Sequence, residues 1–207
     1  MSTRVQMANR CSSGIGDAPR GHISVRHASP SEGYALWAPT YDDGLNPLLA
    51  LEERYLFARL GDLTGKTVLD IACGTGRWLT KVIALGAQRA FGVDYSPEML
   101  RRASDKPHLQ HRLIRADGCS LPVRAATVDL VVCSFAIGHV SDLFGLAREM
   151  SRVCKPQACV YITDLHPSAR EQGWSTSFRQ GDMRVEIESF NCSFDEIRDA
   201  FESNGLE

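Results

Sequence analysis

Three aspartates close three short apolar stretches: Asp70 in VLDIACGTGRW (68–78), Asp94 in GVDYSPEML (92–100) and Asp117 in RADGCSLPV (115–123). Ala72, Gly74 and Gly76 follow the first, small enough to let the backbone approach a ligand with little or no Cβ in the way. An acid beside such a small-residue loop reads as the entrance to a nucleotide site, and which nucleotide it holds is the question. One candidate is the dinucleotide fingerprint Gly-x-Gly-x-x-Gly. Its third glycine falls on Leu79, and it requires no acid where this chain has Asp70. A second glycine cluster, SSGIG at 12–16, has no buried strand before it and reads as chance. His139, in AIGHV beyond a fourth apolar stretch, is a candidate general base, although a brace for its own loop is the favoured role. Asp164 and His166, after a fifth apolar stretch, are weaker candidates.

The elements that must position these residues alternate regularly. TVLDIA, RAFGVD, HRLIRAD, TVDLVVCSFA and ACVYITDL read as five strands. GRWLTKVIALG, SPEMLRRASD and LFGLAREMSRVC read as the helices between them, the second with Ser96 as N-cap and Pro97 in its first turn. This β-α-β-α order predicts an α/β fold, a doubly wound and mainly parallel sheet with helices on both faces. Upstream, SEGYALWAPTYDD (31–43) is an aromatic lead-in broken by Pro39, and residues 48–60 form a helix closed by Gly61. Downstream, GWSTSFRQGD reads as loop or hairpin and RVEIESF as an exposed strand. A last helix, SFDEIRDAFESNG, carries a Ser193–Glu196 capping box. The chain stops two residues after Gly205, so the C-terminal edge strands of the sheet are expected to be missing.

The 207 residues are 43% apolar and 23% charged, with net charge -2, which allows one α/β domain. That balance gives no electrostatic footprint for nucleic acid, and no apolar run approaches the ~20 residues that span a bilayer. Residues 1–30, rich in Ser, Gly and Arg, read as a flexible leader, with organelle targeting the minor alternative. The domain itself is placed at 31–207. Seven scattered cysteines without a Cys-x-x-Cys pair argue against a disulfide framework or a metal site, and for a reducing cytoplasm.

LDIACGTG resembles the first motif of the class I S-adenosylmethionine-dependent methyltransferases, Asp/Glu-x-Gly-x-Gly-x-Gly, with Ala72 in place of the first glycine. GVDYSPEML, RADGCSLPV, VDLVVCSFAIGHV and LAREMSRVCKPQACVYITD resemble the following motifs in order, and the likeness covers about residues 31–165. It implies a Rossmann-like fold and S-adenosyl-L-methionine as cofactor. Asp94 would bind the ribose hydroxyls, Asp117 the adenine amine, and Asp70 the amino group directly or through water. Tyr41, Cys73, Tyr95, Met99, Gly118, Ser134 and Phe135 complete the implied cofactor site with Ala72, Gly74 and Gly76. Tyr34, Trp37 and Tyr41 resemble the Tyr-x-x-Trp-Ala-x-x-Tyr-Asp opening of the quinone-biosynthesis enzymes. Residues 166–193 lie where relatives insert an acceptor lid, so Tyr34, Trp37, His139, Trp174, Phe178 and Arg179 are the candidate acceptor contacts. CSFAIG replaces the Asn/Asp-Pro-Pro-Tyr/Phe motif of base-amino methyltransferases, and no cysteine follows a proline, so a small-molecule acceptor is expected rather than nucleic acid. The reacting atom (O, C or N) and the oligomeric state stay open. The alternatives are a catalytically idle relative that binds cofactor or a partner and, less favoured, a nucleotide-dependent oxidoreductase.

Overall fold

A computed structural model describes residues 24–206. Its centre is a five-stranded parallel sheet in the order β4-β3-β2-β5-β6, made of β2 (Thr67–Ile71), β3 (Arg89–Asp94), β4 (Leu113–Arg115), β5 (Val128–Ser134) and β6 (Cys154–Thr163). The order reverses between β2 and β5, so β2, β3 and β5 aim their carboxyl ends at one crevice, where doubly wound sheets bind ligands. The chain thus has the Rossmann-like architecture.

The strands are apolar on both faces because helices cover both. Leu69, Ile71, Val131 and Cys133 turn to one side, under α5 (Leu143–Val153) and α7 (Phe194–Glu202). Val68, Leu130 and Val132 turn to the other, under α2 (Pro47–Leu60) and α3 (Arg77–Ala84), with Ala103 of α4 (Pro97–Ser104) beside them. Local chemistry sets the helix ends. Ser96 Oγ accepts the Met99 N–H at 3.2 Å with Pro97 in the first turn. Ser193 and Glu196 form a reciprocal capping box on α7.

A second, three-stranded sheet stands apart, in the order β1-β8-β7. β7 (Thr176–Gln180) and β8 (Met183–Ile187) form an antiparallel hairpin, and β1 (Ser24–Ala28) pairs in parallel with β8. This corrects the sequence reading at one point: residues 24–28, assigned to the leader, are a strand. Their alternation was hidden because only Ala28 is buried. Residues 1–23 of that leader, SSGIG among them, lie outside the described residues. Ala28, Phe178, Val185 and Ile187 make a small satellite core with Trp37 of α1 (Pro30–Trp37). α6 (Pro167–Glu171) links the two sheets along the chain.

Candidate cofactor and acceptor cleft

A cleft of about 550 Å³ opens where β2, β3 and β5 end. The glycine loop forms its floor. Ala72, Gly74 and Gly76 all adopt left-handed backbone, with φ of 55°, 56° and 81°. Glycine takes that conformation freely, whereas a residue with a Cβ does so at a cost of about 1 kcal/mol, so Ala72 is strained despite its size. A Cβ on Gly76 would collide with Leu109, so that glycine lets α3 pack; one on Gly74 would meet no protein atom within 4 Å.

Asp94, at the end of β3, lines the cleft. Its Oδ2 accepts the Gly74 N–H at 2.7 Å and its Oδ1 the Ser96 N–H at 2.8 Å. Burial pushes its carboxyl upward in pKa, and the hydrogen bonds from the Ser96 and Gly74 N–H groups hold it back. Each oxygen keeps a lone pair for a ligand donor. Asp117 also borders the cleft, its Oδ1 accepting the Cys119 N–H at 2.9 Å. Tyr41, Ala72, Gly74, Tyr95, Met99, Gly118, Ser134 and Phe135 share that wall.

Asp70, Cys73 and Gly76 are placed differently from the sequence expectation, beneath the cleft surface instead of on it. Asp70 is 2% exposed, and its Oδ2 is buried without a hydrogen-bond partner. Burial pushes its pKa up to about 8, against a partly offsetting pull from the Arg77 guanidinium. Cys73 packs behind the loop against Gly92.

Among the described residues, no lysine or arginine lines the cleft. Cations serve as struts around it. Glu52 of α2, 8% exposed, accepts Arg77 Nη2 (2.8 Å), Trp78 Nε1 (2.9 Å), Ser134 Oγ (2.8 Å) and Thr163 Oγ1 (2.8 Å). This one carboxylate joins α2, α3 and the ends of β5 and β6. Sequence reasoning missed it, although Glu52, Leu56 and Leu60 share a helical stripe whose other members are core residues. Asp42 is a second unforeseen strut: it accepts Thr75 Oγ1 (2.7 Å) and Lys106 Nζ (3.1 Å), tying the lead-in to the glycine loop.

The other end of the cleft is aromatic, with Tyr34, Phe135, His139 and Phe190. His139 meets Tyr34 edge-on at 5.3 Å, and its Nδ1 lies 2.9 Å from the Glu188 carbonyl oxygen. A carbonyl only accepts, so Nδ1 carries the proton and Nε2 is the basic nitrogen. Burial lowers the ring's pKa below the ordinary value. Four expected acceptor contacts are elsewhere. Trp37 and Phe178 stack on each other at 4.9 Å inside the satellite core. Trp174 is 55% exposed, and Arg179 is exposed on β7 opposite Arg184. The β7–β8 hairpin buries its aromatic face against α1 to complete its own small core, which takes these residues away from the cleft. Asp164 accepts the Gly138 N–H at 2.9 Å, and His166 caps α6.

Residues 68–157 match the family described as Methyltransferase domain. Over those residues the chain is similar to methyltransferases. The chain is also similar to the demethylmenaquinone methyltransferase of Lactococcus lactis, 27% identical over 139 residues, 61% of this chain and 55% of that protein. The chain thus spans about half the length of the curated relatives it matches. An S-adenosylmethionine-dependent methyltransferase from Mesorhizobium loti superposes with a TM-score of 0.61 at 21% identity, covering 74% of this chain and 80% of that one. One from Aquifex aeolicus gives 0.61 at 19% identity, covering 84% and 88%. At such identities these two structures speak for the fold.

Proposed function

We propose that this domain transfers a methyl group from S-adenosylmethionine to an uncharged, flat-ringed small molecule of the quinol kind, and that His139 receives the proton the acceptor sheds. The observation that carries the reading is Asp94: a half-buried carboxylate at the cleft, pinned by two backbone N–H groups, in a cleft that no lysine or arginine of the described residues lines. The residues fit this cofactor. Asp94 offers two free lone pairs to the ribose hydroxyls, Asp117 one to the adenine amine, and the acids surround a site for positive charge.

S-adenosylmethionine supplies, when bound, a methyl group on a cationic sulfur that departs as a neutral thioether. The chain's residues orient, exclude water and move one proton. Tyr34, Phe135 and Phe190 wall the acceptor end with apolar surface, and among the described residues no cation lines it, which disfavours carboxylate or phosphate acceptors. His139, kept neutral at pH 7 by burial, has Nε2 available as base. The similarity to demethylmenaquinone methyltransferases supports a quinol acceptor. Among the described residues no helix is long and apolar enough to cross a membrane, and six cysteines are unpaired; both fit a cytoplasmic setting.

The test is transfer of an isotopically labelled methyl group to a reduced naphthoquinone lacking a ring methyl, read by mass spectrometry. Transfer that falls about 100-fold or more in His139→Asn, with S-adenosylhomocysteine affinity unchanged, is expected. Transfer only to anionic acceptors would contradict the reading.

A further inference from the structure

The turn carrying His139 is clamped from two sides. Beneath it, Asp164 Oδ2 accepts the Gly138 N–H, and Arg170 pairs with Asp164 at 3.3 Å, both side chains at least nine-tenths buried. Arg170 packs so closely under Gly138 that a Cβ there would collide with it. Above it runs the segment that leaves β8. The Phe190 N–H donates to the Gly138 carbonyl at 2.8 Å, and the Glu188 carbonyl accepts from His139 Nδ1 at 2.9 Å. Glu188 is fixed in turn, because its own N–H donates to the Ala28 carbonyl at 2.9 Å, at the end of β1. A chain of backbone bonds therefore runs from the small sheet, through Glu188, to the imidazole.

We propose that the strap Glu188–Phe190 is a positioning element for His139: docked on Gly138, it fixes the Nδ1–H tautomer and so leaves Nε2 as the unprotonated nitrogen. This extends the reading of His139 as base and assigns a task to the small sheet, which is to hold the carbonyl that sets the tautomer. A base oriented by a third group is the general arrangement of proton-transfer sites. Here the third group is a main-chain carbonyl, which no side-chain comparison would reveal. Phe190 lines the same cleft, so the strap also forms part of the acceptor wall.

Nitrogen-15 NMR of the histidine rings in the full chain, without acceptor, tests the assignment directly. The wild type and Phe190→Ala, which keeps the N–H, are expected to show His139 protonated at Nδ1. Phe190→Pro deletes the N–H that docks the strap, and is expected to move half or more of His139 to the Nε2–H form. S-adenosylhomocysteine titration and the amide spectrum report whether the variant keeps its fold. An Nε2–H ring in the wild type would overturn the proposal, whatever the variants do. So would a folded Phe190→Pro chain with an unchanged tautomer. Full methyl transfer by His139→Asn would instead remove the base reading and leave the tautomer assignment standing.

Discussion

Asp94 Oδ2 accepts the Gly74 N–H at 2.7 Å, joining the acid that ends β3 to the loop that follows β2. Loop and acid are therefore one unit, and a ligand that engages Asp94 lies against Gly74. A Cβ at residue 74 would meet no protein atom within 4 Å. Gly74→Val is therefore expected to fold, losing about 1–2 kcal/mol to its left-handed backbone, while S-adenosylhomocysteine affinity falls more than tenfold. Thermal melting and calorimetry separate the two effects. Unchanged affinity would show that the ligand does not lie over the loop.

Asp70 gives a pH signature. Its folded-state pKa of about 8 stands well above the ordinary aspartate value of 3.8, so the native chain holds an extra proton between those values and loses stability as pH rises through the window. Between pH 5 and pH 7 this contribution falls by about 2–3 kcal/mol, and Asp70→Asn should lack that slope. Denaturant titrations of both chains across the range give the comparison. A wild type that gains stability from Asp70 as pH rises would reverse the sign and contradict its burial.

Glu52 is the largest single point of failure in the site's support. Removing it leaves Arg77, Trp78, Ser134 and Thr163 without their shared acceptor. Glu52→Ala is expected to destabilise the chain by about 3–5 kcal/mol, whereas an exposed acid such as Asp182 should be near neutral. Urea unfolding of the two variants measures the contrast, and a Glu52→Ala loss below 1 kcal/mol would mean that the network relaxes around water.

Ala72→Gly is expected to stabilise the chain by about 0.5–1 kcal/mol, because φ of 55° suits glycine better than alanine. A melting temperature lowered by the change would show that the methyl group packs usefully.

The strand and helix order of the large sheet was legible because each element repeats a simple period and ends in a cap or a glycine. The cleft was legible as far as its backbone goes: Asp94 and the glycine loop follow from motif spacing. Side-chain networks were not. Glu52, Asp42 and Lys106 act across 25 or more residues, and nothing local distinguishes them from solvated charges. Asp70 was read as facing the cofactor's amino group, directly or through water; strand alternation and the overlying loop bury it. Trp37 and Phe178 were read as acceptor contacts because they fall in segments that resemble the lead-in and acceptor lid of methyltransferases. They stack on each other because the small sheet, of which the sequence showed only the β7–β8 part, needs a core. β1 was missed for the same reason, since a five-residue strand with four exposed or half-exposed positions leaves no apolar period.

The central claim is that this cleft holds S-adenosylmethionine through Asp94. Calorimetric titration of S-adenosylhomocysteine into the wild type and Asp94→Ala, with NADH as competitor, tests it most directly. The account predicts binding by the wild type, untouched by NADH, and a loss of about 100-fold or more in the variant, since hydrogen bonds to a charged group contribute about 1.5–3 kcal/mol each. Equal binding by both folded chains, or displacement by NADH, would contradict it.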